Sequence, residues 1–503
     1  MIIDDQYYDL IIVGTGAGGG TLAQKLAPTG KKILILERGD FMPLEEQNRT
    51  NVDIFKRERY HAPEQWYDSA GEPFSPQMNY AVGGNTKIYG AALLRFRERD
   101  FETVKHQAGV SPEWCVKYSD FEPYYTEAEM LYKVHGQIAI DPTEPPHSAD
   151  YPFPALVQTP EIAEISEAIA KLGLHPSPLP LGLTREDDDP TNDAEVSGII
   201  PALKHPHVTL KTGAKVVYLH TNPSGRGVKG VEAEIGGQSY LFLADIVVLA
   251  CGAVNSAALL LRSASDRHPQ GLANSSQLVG RNLMKSLMTV VVQLSRKANS
   301  GVFQKTLCVN DFYGGDANFP YPMGHIYNSG GLLADPIFAE APPLLSSLAK
   351  FMPEFGLKQL ATRSIGWWIQ TEDLPDSHNR VRVEGKKLLI EYTSNNSEAH
   401  DRLIYRWTDL LKSVEKNLKG LQQGMVHPRG EVPIQVVANQ CGTCRFGNDP
   451  TTSVLDPNCR THEVDNLYVV DSSFFPSNAS VSPALTIMAN ALRVGEHLIE
   501  RLR

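Results

Sequence analysis

The stretch YDLIIVGTGAGGG, residues 8–20, decides the fold. Residues 9–13 read as a short, mostly apolar strand running into a glycine-rich turn. Gly14, Gly16 and Gly19 keep the G-x-G-x-x-G spacing. The following TLAQKLAPTG, 21–30, reads as a helix ended by Pro28 and Gly30, and KKILILERG, 31–39, as a second strand that delivers Glu37 and Arg38. Each part has a mechanical reason. Gly14 allows the tight turn, Gly16 lets the backbone approach a pyrophosphate, and Gly19 permits close helix–strand packing. The helix N-terminus offers unpaired N–H groups to phosphates. Glu37 lies 18 residues beyond Gly19, where a carboxylate accepts bonds from ribose hydroxyls. Strand, turn, helix, strand and acid fall in order, so a dinucleotide site is expected.

Composition narrows the setting. A chain of 503 residues exceeds one compact core, so two or three domains are expected. A formal charge of −11 disfavours a nucleic-acid partner, because phosphate binding needs a basic surface. No segment reaches the roughly 20 apolar residues of a membrane helix. Six cysteines are too few for a disulfide framework, and the N-terminus runs almost directly into a strand without a signal-peptide pattern. The expected location is cytoplasmic. The acidic run REDDDP, 185–190, reads as a solvated loop.

The glycine motif leaves FAD and NAD open. Two later segments favour FAD. YAVGGNTKIYGAALLRFRERDF, 80–101, holds a second glycine turn with Gly83, Gly84, Asn85 and Thr86. YLFLADIVVLACGAVNSAALLLRS, 240–263, reads as strand, small-residue turn and helix, carrying Ala250 and Gly252. With these segments, VGRNLM at 279–284 and the block from Cys441 to Arg493, the chain resembles the glucose–methanol–choline (GMC) oxidoreductases nearly end to end.

The resemblance implies an α/β fold with a Rossmann-like FAD-binding domain and a second, substrate domain built on an antiparallel sheet with helices on one side. The FAD domain would comprise residues 1–285 and 433–503, with inserted segments around 50–80 and 110–190 covering the site. The substrate domain would span 286–432. Within it SIGWWIQTEDL and KKLLIEYTS read as strands. The stripe Leu403, Ile404, Trp407, Leu410, Leu411 and Val414 reads as the core face of a helix. The resemblance further places Val217, Asp471, Ser482, Pro483 and Thr486 beside the flavin, with the last helix pointing its N-terminus at the ring. Some members attach FAD through a histidine in the second glycine turn. That place is Ile88 here, so FAD is expected to be non-covalent, and Tyr89 stands where members often have Asn.

NQCGTC, 439–444, carries the reacting positions. Members have His-x-x-Gly-Thr, which puts Asn439 at the His position. Their second catalytic position, usually Asn or His, falls on Ser482. Ser286 also stands where relatives often have histidine. Oxidising an alcohol sends a hydride to flavin N5 and requires the hydroxyl proton to leave. Histidine suits that task because its ordinary pKa, about 6.5, lies near operating pH. Asn439 takes up no proton in this range but still exchanges hydrogen bonds. Three histidines remain open as bases: His325, His427 and His462.

Cys441 and Cys444 read as a buried pair, a flavin-linked dithiol or half of a metal site. The surrounding residues favour the first, and no metal is expected. The activity implied is oxidation of a CH–OH group of a sugar or small alcohol. The partners would be a small-molecule substrate and an electron acceptor: oxygen, a quinone or a redox protein. Three alternatives stay open: a lyase, a light-driven fatty-acid decarboxylase lined by the apolar segment 332–360, and a catalytically attenuated flavin protein.

Overall fold

The computed structural model describes residues 1–43, 62, 64–76, 78–183, 192–299, 305–330, 362–424, 426–432, 434 and 439–503. The segments 185–190 and 332–360 lie outside these residues.

The opening stretch forms a strand longer than its apolar run, Ile2–Val13, followed by the helix Ala17–Leu26 and the strand Ile33–Leu36. Only the second half of the first strand is buried, where Leu10, Ile11 and Ile12 lose all exposure, so hydrophobicity marked the core portion and missed the polar lead-in. These strands belong to a seven-stranded sheet. Val208–Lys211, Ile33–Leu36, Ile2–Val13 and Gln238–Leu249 run parallel in that order. The last of these is shared. Its first half pairs antiparallel with Val228–Ile235, and Val247–Leu249 pair parallel with Leu467–Val469. The C-terminal segment is thereby stitched beside the N-terminal turn. The closing helix, Ala484–Arg501, extends past the expected 493 and packs on Ala17–Leu26.

A second, six-stranded antiparallel sheet follows the order His427–Glu431, Leu287–Leu294, Ser364–Thr371, His325–Gly330, Leu307–Val309 and Ser177–Pro178. The helix Ser397–Asn417 covers one face, with Leu403, Trp407, Leu411 and Val414 fully buried, as the stripe required. Ile404 and Leu410 sit at its margin. Period-2 alternation divides the two tryptophans of the central strand. Trp367 packs edge-on against Trp407 at 5.0 Å, while Trp368 faces the opposite side.

Two pieces cross the boundaries drawn from sequence. The helix Pro160–Ala170 packs on Ser397–Asn417, and Ser177–Pro178 closes the sheet edge. Both come from chain that precedes 286. Conversely, KKLLIEYTS does form a strand, Lys387–Glu391, but not in this sheet. A tight turn at Gly385 (φ 58°) pairs it with Arg380–Glu384, and the hairpin joins the short strands Trp66–Tyr67 and Pro73–Phe74. Strand character is local, whereas the choice of sheet rests on contacts distant in sequence.

Candidate active site

The first glycine turn is shaped by contact. Gly14 adopts φ 100°, and a Cβ there would fall 2.5 Å from the Ala250 carbonyl. A Cβ on Gly19 would fall 2.0 Å from the Gly14 carbonyl, so Gly19 lets the helix close on the turn. At Gly16 no atom lies within 4 Å of a Cβ position, and that space is cavity. Gly16 caps the helix Ala17–Leu26 without any side-chain hydrogen bond, leaving first-turn N–H groups open. The second glycine turn meets the first: a Cβ on Gly84 would lie 3.1 Å from Gly16 Cα.

Between the two turns runs a cavity of about 830 Å³. Its walls carry Gly14, Gly16, Glu37, Arg38, Gly84 and Asn85, then Thr86, Val217, Ala250 and Gly252, and at the C-terminal side Asp471, Ser482 and Pro483. Three expected residues do not line it. Gly19 is used in helix packing. Gly83, at φ 93°, shapes the bend. Thr486 is fully buried, and its hydroxyl pairs with that of Tyr125 at 2.8 Å. A helix position one turn past the N-terminus points back into the fold, which spacing alone did not reveal.

Glu37 is fixed by three hydrogen bonds. Its Oε2 accepts from the amide and hydroxyl of Thr15 at 3.1 and 2.6 Å, and its Oε1 from the Gly39 amide at 2.9 Å. Burial pushes the carboxyl upward, against these bonds and the adjacent Arg38. Arg38 pairs with Glu64 at 2.9 Å and lies 3.6 Å from the Tyr80 ring centroid. Asp471 accepts from the Gly252 amide at 3.0 Å and the Ser473 amide at 2.9 Å, tying the C-terminal turn to the helix Ala253–Arg262. Thr86 donates to the Gly83 carbonyl at 2.6 Å and accepts from the Ala194 amide at 2.9 Å. Bare glycine backbone, an uncapped helix end, a fixed carboxylate and a cavity of this size fit a flavin dinucleotide.

Asn439 and Ser482 both border the same cavity, half-buried, and Met288, Tyr327 and Trp368 of the second sheet also line it. Gln440 lines the cavity as well, whereas CGTC is held by backbone contacts. Cys441 exchanges backbone hydrogen bonds with Met284 at 2.9 and 3.0 Å. Gly442 sits at φ 89°, where a Cβ would fall 2.4 Å from the Asn282 carbonyl, and Thr443 donates to the Ala253 carbonyl at 2.7 Å. Cys441 and Cys444 are fully buried and unbridged, burial pushes both thiols up, and neither lines the cavity. Among the described residues no cluster could hold a metal ion, and no helix is long and apolar enough to cross a membrane.

No histidine appears among the described cavity-lining residues. His325 is fully buried. Its Nδ1 meets Asn310 Oδ1 at 2.5 Å, its ring stacks on Tyr327 at 5.0 Å, and burial pushes it down to about 3. His462 pairs with Ser453 at 3.0 Å, away from the cavity. The His427 side chain lies outside the described residues. Ser286 accepts from the Gln370 side-chain amide at 2.8 Å, and Gln370 stands opposite Met288 in the ladder. Sequence reading missed the wall residues Met288, Tyr327 and Trp368. Their only signal was strand alternation, which does not say what a face meets. It also missed Lys305, which lines the cavity beside Tyr327.

The chain belongs to the GMC oxidoreductase family: the N-terminal family model matches residues 8–288 and the C-terminal one residues 376–491. Paromamine 6'-oxidase of Streptomyces fradiae is 28% identical over 97% of this chain and 91% of its own. The 2-methyl-1,2-propanediol dehydrogenase of Mycolicibacterium austroafricanum is 25% identical over 98% and 95%. The crystal structure of pyridoxine 4-oxidase from Mesorbium loti superposes with a TM-score of 0.70 at 20% identity, covering 97% of this chain and 99% of that one. The protein is an oxidoreductase on this fold.

Proposed function

We propose that the protein oxidises a CH–OH group of a sugar or small alcohol with non-covalently held FAD, using Asn439 and Ser482 to orient the hydroxyl. The observation that carries this is the single cavity joining the glycine turns to a wall that holds Asn439, Ser482 and the substrate-side sheet. The relatives' names, including fructose dehydrogenase large subunit, support the substrate class.

When bound, FAD supplies a two-electron acceptor for the hydride leaving the substrate carbon. Glu37 and Thr15 would hold its ribose, and the backbone of Gly14–Ala17 its pyrophosphate. Ile88 borders the cavity with an unreactive side chain, which supports non-covalent attachment. Asn439 and Ser482 position the hydroxyl by hydrogen bonds but take up no proton near neutral pH. Orientation without a base forgoes about 10²–10⁴-fold in rate, or about 3–5 kcal/mol of transition-state stabilisation.

Anaerobic mixing with a panel of sugars and alcohols tests the activity. Flavin bleaching by one of them is expected, and none would overturn the reading. Acid precipitation tests the attachment: yellow cofactor should leave with the supernatant, and colour retained in the pellet would mean a covalent bond.

A further inference from the structure

We propose that Lys305 is a recognition point for a carboxylate on the substrate, so that this oxidoreductase prefers hydroxy acids or sugar acids to neutral alcohols. The proposal rests on the CH–OH reading above and narrows its substrate class.

Lys305 stands just before the strand Leu307–Val309 and lines the cavity at its substrate-side wall. It is half-buried, and its accessible part borders the cavity. Its Nζ donates to the Gly90 carbonyl at 2.8 Å and lies 5.0 Å from the Tyr327 ring centroid. Gly90 follows the flavin-facing turn by two residues from Ile88, which borders the same space. A carbonyl and an aromatic face both favour the charged amine, yet neither neutralises it. Among the described residues Lys305 has no carboxylate partner. Four acids line the cavity: Glu37 bonds Thr15 and Gly39, Glu64 bonds Arg38, Asp471 bonds Gly252 and Ser473, and Glu234 stands opposite Lys215 in the ladder of the first sheet.

An ammonium walled by protein with no counter-charge is costly, and a ligand carboxylate is the group that relieves it. One of its three N–H donors goes to the Gly90 carbonyl, which leaves two for a ligand. The cofactor's phosphates do not fill this role, because their cradle is at Gly14–Ala17 and Lys305 touches none of those residues. Loss of water pushes the amine down to about 8, with no carboxylate raising it. The titratable groups facing it are few. Tyr327 is pushed up by burial, Tyr89 turns its hydroxyl to the Asn192 carbonyl at 2.7 Å, and His325 lies behind Tyr327 and stays neutral. A substrate bearing ammonium groups would meet like charge here and be disfavoured.

Matched pairs test this in the flavin-loaded enzyme: lactate against propane-1,2-diol, glycerate against glycerol, gluconate against glucitol. The acids should show the higher kcat/KM. Lys305→Met should lower it for acids by about 10- to 100-fold, mainly through KM, while leaving the neutral partners within about threefold. Lys305→Arg should restore most of the loss. For acids, kcat/KM should fall as pH rises through about 8, and the fall should vanish in Lys305→Met. Separately, ¹³C-lysine NMR, with the signal assigned by its absence in Lys305→Arg, should show gluconate raising the Lys305 pKa.

If gluconate raises that pKa but no compound bleaches the flavin, the recognition point stands and the oxidation reading falls. Equal acid and neutral rates that Lys305→Met does not change would overturn the proposal. So would a kcat/KM that rises with pH through about 8 and is lost in Lys305→Met, which would make Lys305 the proton acceptor. Should Lys305→Met fail to hold flavin, the wild-type NMR titration and the Lys305→Arg kinetics decide on their own.

Discussion

Asn439 and Ser482 bring hydrogen-bonding atoms to the cavity wall but no group that titrates near neutrality. Installing an imidazole should therefore change the chemistry in a specific way. Asn439→His with Ser482→Asn is expected to raise kcat/KM by about 10²–10⁴-fold. It should also introduce a rise of kcat/KM with pH through about 6.5, because only neutral imidazole accepts the proton. A pH–rate profile checks both, and an unchanged rate would remove these positions from the reacting pair. The glycines separate two roles at the same scale. Gly16→Val places its side chain in the cavity, so flavin content should fall while the thermal midpoint of the flavin-free protein stays put. Gly19→Ala sets a Cβ 2.0 Å from the Gly14 carbonyl, so the flavin-free protein itself should lose stability. Flavin absorbance and thermal unfolding of the apoprotein, measured side by side, distinguish them.

Helix Ser397–Asn417 shows what an element contributes beyond its own propensity. Its apolar stripe buries Trp407 against Trp367 on one face of the sheet whose other face, through Trp368 and Tyr327, walls the cavity. Trp407→Ala should cost about 3–5 kcal/mol by urea unfolding, since the cavity it leaves is enclosed. The same helix inserts His400 between the hydroxyls of Thr289 (2.8 Å) and Thr371 (2.9 Å), where burial pushes it down to about 4. Its folded pKa lies below the unfolded 6.5, so its neutral form stabilises the fold above pH 6.5, and that contribution is lost as pH falls toward 4. The loss approaches about 1.4 kcal/mol per pH unit. Thermal unfolding between pH 4.5 and 7 should show a steeper acid decline in the wild type than in His400→Gln, and parallel curves would refute the assignment.

The whole molecule assembles its cavity from segments far apart in the chain: the first turn, the second turn, the sheet strands and the C-terminal block. A ligand that bridges them binds only the folded state, so flavin at 100 times its dissociation constant should add about 2.7 kcal/mol of stability. Stripping the flavin should lower the thermal midpoint, and re-adding FAD should recover it. A good part of this architecture was legible locally. The G-x-G-x-x-G turn, Glu37, the helix stripe and the closing Gly-Thr motif each encode a backbone demand within a few residues, where sterics and periodicity act. Sequence by itself thus determined the glycine turn and the family-type chain order. Three things were decided only by tertiary structure. They are the burial of Thr486, the departure of Lys387–Glu391 to another sheet, and the arrival of Lys305 beside Gly90 and Tyr327. The physical reason is common to all three. Each turns on a neighbour far away in the chain, Tyr125 for Thr486, Tyr67 for Leu389 and Gly90 for Lys305, and no local pattern records which neighbours those will be.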